Sequence, residues 1–155
     1  MKNLITLTPI AHVKNSRSGM QDDYWGNVTS EIIIADNLPE ECLDGIETFS
    51  HLEIIFYLDK AEQDKTLYGA GHPRGNVSWP VVGVYAQRKK DRPNHIATTI
   101  VKLISRKGRT LTVQNLDADN DTPVLDIKPV VKEFLPDGEV TQPLWMTELM
   151  KDYWK

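Results

Sequence analysis

The sequence predicts a mainly β protein, a small antiparallel β-barrel with one short helix and one C-terminal helix. Three observations predict it. Short apolar runs rich in β-branched residues recur along the chain, each bounded by turn residues. Only two segments carry helical signals, too few for an alternating βαβ pattern. The glycine-rich strand–turn–helix that usually holds an adenine cofactor is absent.

The elements follow in order. Ile5–Val13 is a first strand, broken at Pro9, and 14–27 is a polar loop. Val28–Ala35 is β-branched and strand-like. Between Asn37 and Gly45, Pro39 at a first helical position, Glu40 and Glu41 in the first turn and Gly45 past the end mark a short helix. His51–Leu58 reads as a buried strand. The polar stretch Asp59–Pro80 is long enough that it is either functional or disordered. Val81–Gln87 is another strand. Ile96–Ser105 and Thr110–Leu116 form a hairpin around 106–109. Val124–Ile127 is the last strand, closed by Lys128 and Pro129. Met146, Leu149, Met150 and Tyr153 stand at helical spacing within Pro143–Tyr153, with Thr141 as a candidate cap.

Composition narrows the class. The chain has 155 residues, of which 40% are hydrophobic and 26% charged, so one domain over 1–155 is expected, with 132–155 as a C-terminal extension. This excludes a disordered acidic tail, a collagen-like fibre and a coiled coil. No apolar run approaches the roughly 20 residues that span a bilayer, so no membrane segment is expected. The first 14 residues have neither a sustained apolar stretch nor a small-residue cleavage site, so no signal peptide is expected. Cys42 is the single cysteine; a reducing, cytoplasmic location fits, with Cys42 as a small buried hydrophobe. The net charge of −4 supplies no global basic field for nucleic acid.

Three segments carry candidate chemistry. Arg88–Arg92 holds four cations in five residues. It is either a solvated loop or an anion site, since Pro93 stiffens the chain after Arg92 and Asn94 adds an amide. Asp117, Asp119 and Asp121 alternate, but the glycine and glutamate of a calcium loop are missing, so the turn is read as an acceptor of ligand hydroxyls or amines. Asp126 and Lys128 lie two apart and share one strand face, with a structural ion pair as the plain alternative. Ser50 and His51 are neighbours on a strand entry and face opposite ways. His12, His51, His72 and His95 have no metal spacing, so no metal is expected.

One set of residues resembles a known family. Pro9-Ile10, Phe49-Ser-His-Leu52, Gly83–Arg88, Arg92-Pro-Asn94, Leu116-Asp117 and Thr122–Pro129 resemble, in order and from Leu4 to about Val131, the TsaA-like family, also called the TrmO or YaeB-like family. The resemblance implies a small antiparallel barrel, a homodimer and S-adenosylmethionine as cofactor. It implies N6-methylation of threonylcarbamoyladenosine beside the tRNA anticodon, with tRNA as partner. Carried over by position, the cofactor site draws on Asp23 and Tyr24, on Asp59, Lys60 and Ala61, on Arg88 and Arg92, and on Ala118, Asp119, Asn120 and Asp121. Asp126 is the candidate base; Lys128 and Asn94 are candidates for positioning substrate. Trp145, Tyr153 and Trp154 either stack a base or pack in a core or dimer contact.

The sequence departs from the family pattern at His95 and Ala97, at Asp121 where a glycine is usual, and at Val130. Aspartate is among the few tolerated substitutes if that glycine sits at positive φ. Two other readings stay open: methyl transfer to a small molecule or another RNA, and a non-catalytic binder of the same cofactor.

Overall fold

In the computed structural model, which describes residues 3–155, six strands close into an antiparallel barrel. They are β1 (Ala11–Lys14), β2 (Thr29–Ile34), β3 (His51–Tyr57), β6 (Ile96–Lys107), β7 (Thr110–Gln114) and β8 (Pro123–Pro129). Around the barrel the order is β1-β2-β7-β6-β3-β8. A separate two-stranded ribbon pairs β4 (Ala70–Gly71) with β5 (Val82–Gly83). One α-helix, α1 (Leu144–Leu149), follows β8.

Period-two alternation explains the barrel. Along β3, Leu52, Ile54 and Phe56 are buried while His51, Glu53, Ile55 and Tyr57 turn outward. Val13, Ile32, Val101, Leu111, Val113 and Val124 complete the same core. Full burial of each such side chain contributes roughly 1.5–3 kcal/mol.

A bulge breaks the alternation on β8: Ile55 pairs with Asp126 but Phe56 pairs with Val124, leaving Leu125 as the extra residue. Val124 therefore faces the core, and Ile127 packs against it. Asp126 and Lys128 share the outer face, as their spacing predicts.

Several expectations need correction. The first strand begins at Ala11, and residues 3–9 form no regular structure; Leu4 and Ile5 are exposed. Val81–Gln87 contributes only the two residues of β5, after which 84–86 form a single 3₁₀ turn. The short helix is a 3₁₀ turn, Glu40–Leu43. Leu43 is the residue of that turn that faces inward, so Cys42 is exposed rather than buried. The C-terminal helix is shorter than its pattern suggests; Pro143 is its N-cap, and no side chain, Thr141 included, caps it. The hairpin forms as expected, closed by Gly108 and Arg109 between β6 and β7.

The topology gives the barrel two unlike ends. Segments 15–28, 58–95 and 115–122 all connect strands at one end, the loop end. Segment 35–50 and the β6–β7 turn lie at the other, the hairpin end. None of the helices among the described residues is long and apolar enough to cross a membrane.

Candidate functional site

The loop end gathers polar, strained chain. Met20, Tyr24, Arg74, Asn94, His95, Asn115 and Asp121 have φ between 48° and 69°, and every one lies in its three connections. Non-glycine residues held there cost free energy and cluster at ligand sites. At Asp121, φ is 67°, so the left-handed backbone that a glycine would adopt is present and is filled by an aspartate.

Hydrogen bonds tie the three connections together. The Lys60 ammonium donates to the Asn120 carbonyl at 2.7 Å. The Asn120 N–H donates to the Arg17 carbonyl at 2.9 Å. The Arg17 guanidinium then donates to the carbonyls of Tyr24, at 2.8 Å, and Asp23, at 2.9 Å, and lies over the Trp25 ring at 3.9 Å. Asn15 braces the acidic turn by donating to the Ala118 carbonyl, and its own N–H meets the Asn120 amide oxygen. The Asp23 carboxylate is held by Arg74 at 2.9 and 3.1 Å.

Asp119 is the most telling side chain. It is buried; one carboxylate oxygen accepts the Met20 N–H at 2.8 Å, while the other is buried with no donor. A buried acceptor left unmatched is costly unless something else supplies a donor.

The cationic segment stands beside this cluster. Arg92 donates to the Gln87 carbonyl at 2.8 Å and Arg88 to the Thr98 carbonyl at 2.6 Å. Neither is in an ion pair among the described residues. Asn94 and His95 follow with consecutive positive φ values. His95 is buried with its Nε2 on the Thr66 hydroxyl at 2.9 Å. Tyr57, Gln63, Thr66, Tyr68, Asn94 and His95 line a polar cavity of about 200 Å³. The Tyr57–Lys60 turn links this cavity to Asn120.

The structure thus brings together Asp23, Tyr24, Lys60 and 118–121, with Asp59 and Ala61 in the same turn as Lys60, and sets Asn94 beside them. It does not bring Asp126 and Lys128 to this end. They pair with each other at 2.9 Å on the outer face of β8, both half-exposed. The Asp126 carboxylate holds the Lys128 ammonium's proton more tightly than usual. Sequence reading missed Asn15, Arg17 and Thr99; it singled out Asp117 as part of the acidic turn and Tyr153 as a stacking or packing residue, without the hydrogen bond that joins them. For Asn15 and Arg17 the signal was a polar loop without a motif. For Tyr153 it needed the tail's path, which no local pattern carries.

Comparison with known proteins adds the family. Residues 10–135 match the model of the tRNA-methyltransferase O N-terminal domain. A probable S-adenosyl-L-methionine-binding protein of Archaeoglobus fulgidus is 39% identical over 108 residues, covering 68% of this chain and 28% of its own. A human tRNA (adenine(37)-N6)-methyltransferase is 36% identical over 108 residues, covering 70% and 24%. The chain therefore spans about a quarter of the length of these two relatives. A crystal structure of TrmO from Pseudomonas aeruginosa superposes with a TM-score of 0.72 at 22% identity, over 90% of this chain and 61% of that one, and bears out the fold.

Proposed function

The chain belongs to the tRNA-methyltransferase O N-terminal-domain family, and on that premise we propose that it is an S-adenosylmethionine-dependent methyltransferase acting on the N6 of threonylcarbamoyladenosine beside the tRNA anticodon. One observation carries the reading. The three connections that the family resemblance assigns to the cofactor are the three that hydrogen bonds gather at the loop end.

The residues present suit that cofactor. The unmatched Asp119 oxygen is an acceptor for a ribose hydroxyl. Arg88 and Arg92 suit a carboxylate. When bound, the cofactor supplies a methyl group on a sulfonium, ready for direct displacement. The protein's task is then proximity. Asn94, held at φ 65° in the cavity wall, positions the acceptor base through its amide, with the Tyr57 and Tyr68 rings available to stack. Asp126 is shielded by Lys128 and faces outward, so its role as base requires an acceptor that reaches the β8 outer face.

The net charge of −4 favours, as a second reading, a smaller acceptor that needs fewer phosphate contacts. Of the two departures that could fill a pocket, Asp121 is exposed, whereas His95 lines the polar cavity with its Nε2 on the Thr66 hydroxyl.

The reading includes a homodimer and a cytoplasmic place of action. Ile96, Ile100 and Ile104 are exposed on β6 at a spacing that puts them on one outer face. A groove of about 690 Å³ runs between residues 3–9 and Tyr57, Ile96 and Leu125. A second copy would cover this apolar strip; sedimentation as a monomer at all concentrations would contradict it.

The test of the activity is incubation with S-adenosylmethionine and tRNA carrying threonylcarbamoyladenosine. Gain of one methyl on that nucleoside, read by mass spectrometry, is the expected result. An unmodified nucleoside with methylated small-molecule product would favour the second reading.

A further inference from the structure

The C-terminal tail touches all three connections of the loop end. On 15–28, the Tyr24 N–H donates to the Asp152 carbonyl at 3.1 Å and the Trp25 N–H to the Tyr153 carbonyl at 2.8 Å. On 58–95, the Trp79 indole donates to Glu148 of α1 at 2.7 Å. On 115–122, Asp117 accepts from the Tyr153 hydroxyl. These tail residues lie beyond 10–135, the part that matches the family model.

The attachment is a local one. No residue from 143 to 155 is fully buried, and 132–144 are all exposed. Residues 136–142 make no backbone hydrogen bond among the described residues. A segment with few buried contacts, carried on a solvated linker, opens at a lower free energy than the barrel core. The tail can therefore leave while the core stays folded.

Its bonds go to backbone that needs holding. Tyr24 is left-handed at φ 68°, and such a residue persists only where its surroundings fix it. The tail accepts the Tyr24 N–H, and Arg17 donates to the Tyr24 carbonyl. The Tyr24 side chain stays exposed, and the unmatched Asp119 oxygen has no hydrogen bond to the tail. The tail thus braces the mouth rather than plugging it. Gly26 permits the close approach: the three atoms nearest to a Cβ there would be backbone atoms of Trp154, the closest at 1.8 Å. The Gly26 backbone is not left-handed, so it is the docked tail that demands glycine at this position.

We propose that residues 143–155 are a strap. Docked, it clamps the three connections of the loop end together; released, it lets all three loosen. Strap docking and ligand binding at that end are then coupled, each favouring the other. The clamp stands without the methyltransferase reading; the coupling rests on that reading for its ligand.

The experiment compares amide hydrogen exchange in the full chain as wild type, Gly26→Ala and Trp79→Phe. Gly26→Ala should release the strap and raise exchange roughly tenfold at 24–25 and 146–153, and with them at 76–80 and 116–122. Exchange in the barrel strands at 51–57 and 96–103 should stay as in wild type, which shows that the variant is folded. Trp79→Phe removes only the indole donor and should give the same pattern at roughly threefold. Faster exchange confined to the tail and 24–25, or unchanged exchange in both variants, overturns the clamp. By calorimetry, Gly26→Ala should bind S-adenosylhomocysteine about tenfold more weakly, in proportion to the docked fraction lost. Loosened connections with unchanged affinity overturn the coupling. Wild-type protein that binds no S-adenosylhomocysteine overturns the methyltransferase reading and the coupling together, while the exchange result still decides the clamp.

Discussion

The two ends of the barrel solve the same problem, turning the chain back on itself, in opposite ways. At the hairpin end, Gly45 and Gly108 take the left-handed positions at φ 85° and 56°. Arg106 there donates to the Leu43 and Gly108 carbonyls and to Asp44, and Arg109 donates to the Ala35 and Leu38 carbonyls. At the loop end, seven non-glycine residues take such positions, and the buried Asp119 oxygen and the Arg17 Nε have no partners. One end is arranged for stability. Arg109 Nε at the hairpin end is buried without a partner as well, so what sets the loop end apart is its strained non-glycine backbone and the unmatched Asp119 oxygen, which on the proposed reading face a ligand.

That contrast can be broken from either side. The largest expected effect is on the hairpin end. Arg106→Ala removes a largely buried guanidinium that donates to the Glu40, Leu43 and Gly108 carbonyls and to Asp44, and should lower unfolding free energy by about 3 kcal/mol in denaturant titration. Cofactor affinity should not change, since Arg106 touches nothing at the loop end. The mirror-image variant is Arg92→Ala. It should weaken cofactor binding by about tenfold or more, on the order of 1.5–3 kcal/mol, with little change in stability. Unchanged affinity would remove Arg92 from the site.

A pH series sharpens the comparison further. Burial, and then the Asp117 carboxylate, push the Tyr153 phenol well above its ordinary 10.0. The folded chain holds that proton more tightly than the unfolded chain. Its contribution is therefore complete below pH 10 and is lost as pH rises beyond it, by up to ~1.4 kcal/mol per pH unit. Wild type should be more stable than Tyr153→Phe near neutrality, by ~1 kcal/mol, and the gap should narrow in alkali. Parallel melting curves above pH 10 would contradict the buried contact.

The smallest effect on stability belongs to Asn94→Gly. Relief of the left-handed backbone offsets the greater freedom of unfolded glycine, so unfolding should shift by no more than ~0.5 kcal/mol. Methyl transfer should nevertheless fall, because the amide is gone. A variant that is unaffected in both would leave Asn94 as a turn residue only.

How much of this was legible in the sequence depended on range. His51–Tyr57 and the β6–β7 hairpin were readable because burial alternates within the strand itself. The 84–86 turn was not, because Val84 is buried like a strand residue while its backbone closes a 3₁₀ turn. Cys42 was misread because residue type predicts burial only when the face is known, and Leu43 takes the inner face of that turn. The β8 bulge kept Asp126 and Lys128 on one face yet turned that face outward, which spacing cannot reveal. Motif positions had singled out Lys60 and 118–121, and the structure brings those two segments together at the loop end. Asn15, Arg17 and Tyr153 act through contacts spanning up to 105 residues of sequence, and no local pattern encodes those.

The most direct test of the loop end as the ligand site is amide hydrogen exchange with and without saturating S-adenosylhomocysteine. The account predicts added protection at the amides of residues 20–26, 59–61 and 118–121, and none at 40–48 or 106–109. Protection confined to the hairpin end, or no change anywhere at saturation, would contradict it.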